Sequence, residues 1–293
     1  MLAEREAEVL VTGLCYPECP RWHDGHLWLS DQYDRTVWRI DEQGARTVAA
    51  RLDGPPSGLG WLAEGDGDSD SDLLVVSMHD RTVRRVGADV DGTPTVFADL
   101  SAHHRGPSND MVVVPPDLVY VGNIGFDFYA GESLAETVLL RVDRDGRVSV
   151  AADGLVCPNG MAVSPDRDRL YVAESLAGRI TTFAIAPDGT LHDRTVFAEL
   201  PGRRPDGICL DADGAVWAAC ARTPEAVRIA PGGEVVDVVR SRDNHVYACA
   251  LGGTDRRTLF LCTAPSDVPD EALARRGGQV ETCRVEVPGA GWP

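Results

Sequence analysis

A chain of 293 residues with a formal net charge of -18 and a pI near 4.7 lacks the clustered Lys and Arg that a nucleic-acid backbone or an anionic lipid surface would require. Hydrophobic residues make up 43% and charged residues 25%, a globular composition whose length admits one large domain or two small ones. The start, MLAEREAEVLVTGL, has neither the basic head nor the apolar core of a signal peptide, and no run approaches the roughly 18 apolar residues of a membrane span, so a cytoplasmic protein is expected.

In chain order, the acidic start is one of two stretches with helical character; the other is Asp270 to Arg276, DEALARR. Between them run short β-branched or aromatic segments: HLWLS from His26, TVWRI from Thr36, DLLVVSM from Asp72, LVYVGNI from Leu118 and TVLLRV from Thr137. RLYVAE from Arg169, RITTFAI from Arg179, AVWAACA from Ala215, AVRIA from Ala226, EVVDVV from Glu234 and TLFLC from Thr258 continue the series. Turn clusters such as DEQG, DRDG, PDGT, DADG and PGGE separate them, which is strand-turn-strand punctuation. The chain reads as nearly all β.

A longer period overlies this one. PECPRW from Pro17, PSGLGW from Pro56, PSNDMVV from Pro107, PNGMAVS from Pro158 and PDGICLD from Pro205 each begin with Pro, a small or polar residue and an apolar run. A second strand follows each, and a degenerate sixth unit starts at HVYACALGG from His245. A period of about 40–50 residues with about four strands per unit is that of a propeller blade. The prediction is one all-β domain over residues 1–293, a six-bladed β-propeller of four-stranded antiparallel blades. The spare strand EVLVTGL from Glu8 is left to pair with the last blade, which ends in QVETCRVEVPG, and so to close the ring. The tract Asp66 to Asp72, DGDSDSD, fails as an EF-hand because Ser71 replaces the required Gly and Ser77 the final Glu; it reads as a solvated hairpin tip.

In a propeller the innermost strands line a central channel, so equivalent repeat positions meet around its axis. The residue after the repeat's Pro is Glu18, Ser57, Asn159 and Asp206, and a one-residue offset in the third unit brings in Asn109. Glu18, Asn109, Asn159 and Asp206 then form a ring of oxygen donors carrying two negative charges. Such hard donors suit one divalent cation, Ca²⁺ first, with Mg²⁺, Mn²⁺ and Zn²⁺ as alternatives. Of the seven His, His245 alone comes near a repeat position, and the eight Cys include no C-x-x-C pair, so a structural zinc site is not indicated. Most of the Cys read as small core residues. His103 and His104 are placed in an exposed loop, and His79 at the funnel rim or the surface. No G-x-S-x-G nucleophile elbow is present.

YPECPRW with LWLSD, PSNDMVV with YVGNIGFD, CPNGMAVSPDRDRLYVAES, RPDGICLDADGAVWAAC and ACALGGTDRRTLFLCTA together resemble the gluconolactonase / senescence marker protein / luciferin-regenerating enzyme family, related to diisopropyl fluorophosphatase and a drug-responsive lactonase. The resemblance runs in order from Leu10 to the C-terminus. It implies a six-bladed propeller with a catalytic divalent metal, often Ca²⁺, in the channel. The family's metal-binding Glu falls on Glu18, its P-N-G Asn on Asn159 and its P-D-G Asp on Asp206. The N-D Asn falls on Asn109, a ligand in one branch and a substrate contact in another. Two positions depart from the pattern. Cys19 stands where Gly is usual, and Pro107 where gluconolactonases carry a sugar-gripping Arg, the nearest Arg here being Arg105.

The expected function is metal-dependent hydrolysis of a small ester, a lactone above all, with the cation as Lewis acid and Asp206 taking the proton from attacking water. Asn123, Asp127, His79, Tyr247, Trp61 and Phe126 are candidates for substrate binding, with Phe128 and Tyr129 adding to an aromatic pocket. Three other readings use the same residues: a fluorophosphatase-like phosphotriesterase with Asp206 as nucleophile, a biosynthetic cyclase or isomerase, and a non-catalytic binding platform.

Overall fold

The computed structural model describes residues 4–62, 73–87, 93–115, 117–127 and 130–291. The tract 66–72 and the aromatic residues 128 and 129 lie outside the described residues.

The acidic start is strand rather than helix: β1 (Glu4–Glu6) and β2 (Glu8–Leu14). Its charges are spaced as an edge strand tolerates them, and a neighbouring sheet edge supplies the hydrogen bonds that a short isolated helix could not sustain. The first blade is β3 (Pro17–His23), β4 (His26–Asp31), β5 (Thr36–Ile40) and β6 (Arg46–Arg51). The second is β7 (Pro56–Trp61), β8 (Leu73–Ser77), β9 (Thr82–Val86) and β10 (Thr95–Asp99). The third is β11 (Ser108–Val114), β12 (Leu118–Asn123), β13 (Thr137–Val142) and β14 (Val148–Leu155). The fourth is β15 (Pro158–Val163), β16 (Arg169–Glu174), β17 (Arg179–Ile185) and β18 (Leu191–Glu199). The fifth is β19 (Pro205–Leu210), β20 (Val216–Cys220), β21 (Glu225–Ile229) and β22 (Val235–Arg240), to which β1 adds a fifth, parallel strand. The sixth is β23 (His245–Gly252), β24 (Thr258–Ala264) and β25 (Gly278–Arg284), completed by β2 antiparallel to β25.

The protein is thus a six-bladed β-propeller whose ring is closed by its N-terminal strand. Among the described residues the one helix is α1 (Pro269–Arg275), between β24 and β25, with Pro in its first turn and acidic residues beside it.

The core lies between blades. Met111 and Val113 of β11 pack toward the second blade against Leu74 and Val76, while Val112 and Val114 pack toward the fourth against Met161 and Val163. Every blade is sandwiched in this way, so inner strands are buried on both faces and read as continuous apolar runs; β11 is buried throughout. The outermost strand β18 is mostly exposed, and its sequence LHDRTVFAE shows it. Seven of the eight cysteines are buried and all eight are free, as core residues should be.

Candidate metal centre in the channel

All six innermost strands break register at the same place. The bulges fall between Glu18 and Arg21, Pro56 and Leu59, Ser108 and Met111, Pro158 and Met161, Pro205 and Ile208, and Val246 and Ala248. A bulge kinks the strand and re-aims its side chains. The equivalent positions are therefore Glu18, Ser57, Asn109, Asn159, Asp206 and Tyr247. Ser108, paired with Asn123, takes the place that Pro occupies in four other blades, which accounts for the one-residue offset of the third unit. In the sixth blade the equivalent residue is Tyr247, not His245. The signal lay in the sequence: Ala248 of ACAL stands where Gly207 of GICL stands, and the two strands touch there, since a Cβ on Gly207 would overlap Ala248.

Small residues follow every ring position except Asn109, where Asp110 stands, and at the glycines this is a packing requirement. A Cβ on Gly160 would come within 2.6 Å of Ile208 N and overlap Asp206 O, the backbone of the next blade's ring residue. Cys19 stands in the first blade instead of glycine, with a left-handed φ of 50°; its thiol lies 3.4 Å from Ser57 Oγ. Hydroxyls from second strands tie adjacent rims together: Ser30 Oγ donates to Ser57 O at 2.6 Å, and Ser175 Oγ to Pro205 O at 2.7 Å.

The oxygen-bearing side chains are held by their neighbours. Ser57 Oγ lies 3.4 Å from Asn109 Oδ1, and Asn159 Nδ2 donates to Ser175 Oγ at 3.1 Å. Cys19 N donates to Glu18 Oε2 at 3.0 Å. Glu18 and Asp206 are buried and electrostatically linked. Burial first, then Asp110, raises the Glu18 carboxyl against the pull of Arg21 and the Cys19 amide. Burial, Glu18 and Asp110 raise Asp206 well above the ordinary range, and the Asn159 side chain opposes them. Asp206 Oδ1 is buried with no hydrogen-bond partner. Beside the ring, Arg21 donates to Asp110 Oδ1 at 2.6 Å and to Met111 O at 2.7 Å, a fully buried ion pair.

Asp206, raised by Glu18 and with one buried oxygen orphaned, makes with Glu18 and two neutral side-chain amides a candidate donor set for a hard divalent cation. Among the described residues no cluster of three or more His, Cys, Asp and Glu side chains offers a different, nitrogen- or sulfur-rich site.

The substrate candidates scatter. Tyr247 belongs to the ring. Its phenyl ring meets Tyr16 edge-on at 4.8 Å, and Tyr16 stacks on Tyr33 at 5.0 Å, an aromatic wall that sequence reasoning did not assemble. Asn123 is fully buried with its amide committed to its own blade, donating to Val138 O at 2.8 Å and accepting from Thr137 Oγ1 at 2.7 Å. It occupies the second-strand position at which Asp31 holds the amides of Cys15 and Tyr16, and Glu174 that of Val156. Asp127 is exposed and accepts from Ala130 N at 2.9 Å within its own turn. Phe126 is buried against Gly106, and His79 is exposed at the turn between β8 and β9. Trp61 stands at the end of β7 remote from Ser57, stacked on His23 at 3.9 Å, hence toward the opposite end of the channel. His103 is exposed as expected, but His104 is buried, with Nδ1 2.8 Å from Ser108 Oγ, because its loop folds back over the start of β11.

A six-bladed propeller with oxygen donors at equivalent rim positions defines a class of channel-site proteins, and the sequence comparisons narrow it. Residues 16–265 match the family described as SMP-30/Gluconolactonase/LRE-like region, and the chain belongs to that family. It is 33% identical over 160 residues to 6-deoxy-6-sulfogluconolactonase of Pseudomonas putida, covering 53% of this chain and 55% of that protein, so the match spans little more than half of the relative's length. It is 32% identical over 262 residues to L-arabinolactonase of Azospirillum brasilense, covering 82% of this chain and 80% of that one. In structure it resembles regucalcin of Agrobacterium tumefaciens, a calcium-binding protein, with a TM-score of 0.82 at 22% identity over 100% of this chain and 99% of that one, a likeness of fold.

Proposed function

We propose that this protein is a lactone hydrolase that holds one divalent cation, Ca²⁺ by preference, among Glu18, Asn109, Asn159 and Asp206. The observation that carries the reading is the buried, partnerless Asp206 Oδ1, whose carboxyl feels the charge of Glu18 at an equivalent bulge. An unpaired buried carboxylate oxygen is costly, and a cation relieves that cost where two carboxylates repel. The lactonase names of the relatives support the reaction class.

A cation in this ring supplies Lewis-acid polarisation of the substrate carbonyl. The chain's own residues do the rest. Asn109 and Asn159 supply neutral oxygens, so the site keeps a low anionic charge. Asp206 accepts the proton of the attacking water, with the Asn159 side chain beside it fixing its orientation. The buried Arg21–Asp110 pair puts a cation and an anion beside Glu18 without adding net charge. Pro107 puts no guanidinium fork at the position two residues before Asn109, and the Arg222 guanidinium near Tyr247 is engaged by Asp267, while Tyr16, Tyr33 and Tyr247 stack beside the sixth blade. Alkyl- or aryl-substituted lactones are therefore the favoured substrates over gluconolactone.

The test is a panel of lactones and aryl esters assayed with the purified protein before and after chelation, alongside elemental analysis. Turnover that vanishes on chelation and returns with Ca²⁺, with higher kcat/KM on an aromatic lactone than on gluconolactone, is the expected result. Turnover indifferent to chelation would remove the cation from the proposal, and a clear preference for the sugar lactone would remove the apolar pocket.

A further inference from the structure

We infer that Tyr247 is a catalytic residue whose hydroxyl donates a hydrogen bond to the departing ring oxygen of an unactivated alkyl lactone. The inference rests on the lactone-hydrolase reading and extends it to the bond that breaks.

Five bulge positions carry Glu, Ser, Asn, Asn and Asp; the sixth carries a phenol. Tyr247 is 1% exposed, as enclosed as the carboxylates it joins. Its ring is fixed by the edge contact with Tyr16, by Tyr33 behind that, and by Ala264 and Ala272, the last contributed by α1. Tyr33 is itself anchored, donating its hydroxyl to Asp267 O at 2.7 Å. A ring held this way presents its hydroxyl in one place.

That hydroxyl has no partner in the protein. The contrast with Tyr120 is informative: it is equally buried, and its hydroxyl donates to Gly189 O at 2.7 Å. A buried hydroxyl without a partner costs about 1–3 kcal/mol, so one retained at a ring position calls for a group that arrives from outside. A neutral phenol is a poor cation ligand beside carboxylates and amides, so its natural partner is substrate. A phenol is protonated in neutral solution, hence a donor.

The reaction has one place for such a donor. Water's oxygen bonds to the carbonyl carbon and gives its proton to Asp206. The ring C–O bond then breaks and its electron pair stays on the departing oxygen. Tyr247 stabilises the negative charge growing there until the proton held by Asp206 reaches that oxygen. Lactone and water thus become a hydroxy acid, with both residues restored. The benefit is largest where the alcohol is a poor leaving group, and the tyrosine wall on this side suits an alkyl-substituted ring.

Tyr247→Phe deletes the hydroxyl and keeps the ring. Wild type and variant are compared on an alkyl δ-lactone and on p-nitrophenyl acetate, whose leaving oxygen needs no donor, with metal content and thermal midpoint measured on both proteins. The expected result is a fall of about 10- to 100-fold in kcat on the alkyl lactone, the worth of one hydrogen bond to a developing charge, with the aryl ester changed less than about threefold. Metal content and midpoint should be unchanged. Equal losses on both substrates, or no loss on the lactone, would overturn the role of Tyr247 while leaving the hydrolase reading standing. Absence of turnover by the wild type on both substrates would overturn the hydrolase reading and this inference with it.

Discussion

His104 makes acid lability of the channel rim a quantitative expectation. The imidazole is 1% exposed, with Nδ1 against Ser108 Oγ and Nε2 without a partner. Burial first, then His103 and Arg81 beside it, pulls its pKa from 6.5 down to about 3. The folded protein therefore keeps His104 neutral while the unfolded chain binds a proton below about pH 6.5. Stability from this residue is fully present above that pH and is lost as pH falls from about 6.5 toward about 3. At pH 5 the unfolded state gains 1.5 pH units of protonation free energy, about 2 kcal/mol, relative to pH 7. In urea that corresponds to a midpoint lower by about 0.5–1 M for a chain of this size. The assay is urea denaturation of wild type and His104→Asn at pH 7 and pH 5. Asn keeps a side-chain amide near Ser108 and cannot titrate. The variant starts from a lower midpoint at pH 7, but its drop on acidification should be smaller than wild type by that amount. Equal drops would show that His104 is not held neutral, and the account of this loop would fail. Ser108 directly precedes Asn109, so activity below pH 6 should fall less steeply in the variant.

Asp206→Asn leaves one carboxylate in the ring, so bound metal at micromolar Ca²⁺ should fall severalfold or more by elemental analysis while the blades still fold; unchanged metal content would refute the ligand assignment. Metal removal should lower thermal stability of the wild type, because a ligand present at 100 times its Kd contributes about 2.7 kcal/mol, and the Asn variant should respond less in the same melting assay. Gly160→Ala forces a methyl into the backbone at Asp206 and Ile208, so a loss of about 1–3 kcal/mol by urea denaturation is expected, with a larger proportional loss of activity than of stability. Arg21→Ala strands Asp110 as a buried uncompensated charge and should cost about 3–5 kcal/mol, measured in the same way.

The architecture was legible because a propeller repeats itself. Six units, each opening on a short apolar strand buried on both faces, imprint a period on the sequence that no single blade reveals, and the spare EVLVTGL announced the closure with β25. Glu18, Asn109, Asn159 and Asp206 stand out as candidates for the same reason, since chemically similar donors recur after the same Pro or its substitute. Where the repeat decays, the sequence lost resolution. The sixth unit has no Pro, so the place of Tyr247 in the ring became visible only through the bulge between Val246 and Ala248. The acidic start shows why propensity fails at a sheet edge. Glu4–Glu6 becomes a strand because β22 offers it a free edge, a partner more than two hundred residues away. Asn123 and Asn159 look alike as polar residues beside apolar runs, yet Asn123 commits its amide within its own blade while the Asn159 side chain also reaches Asp206 of the next blade. Strand pairing and repeat period are local or periodic and can be read in one dimension. Which side chain a bulge turns toward the axis, and which buried polar group finds its partner inside its blade, depend on backbone from distant residues meeting in space, and only the closed ring decided them.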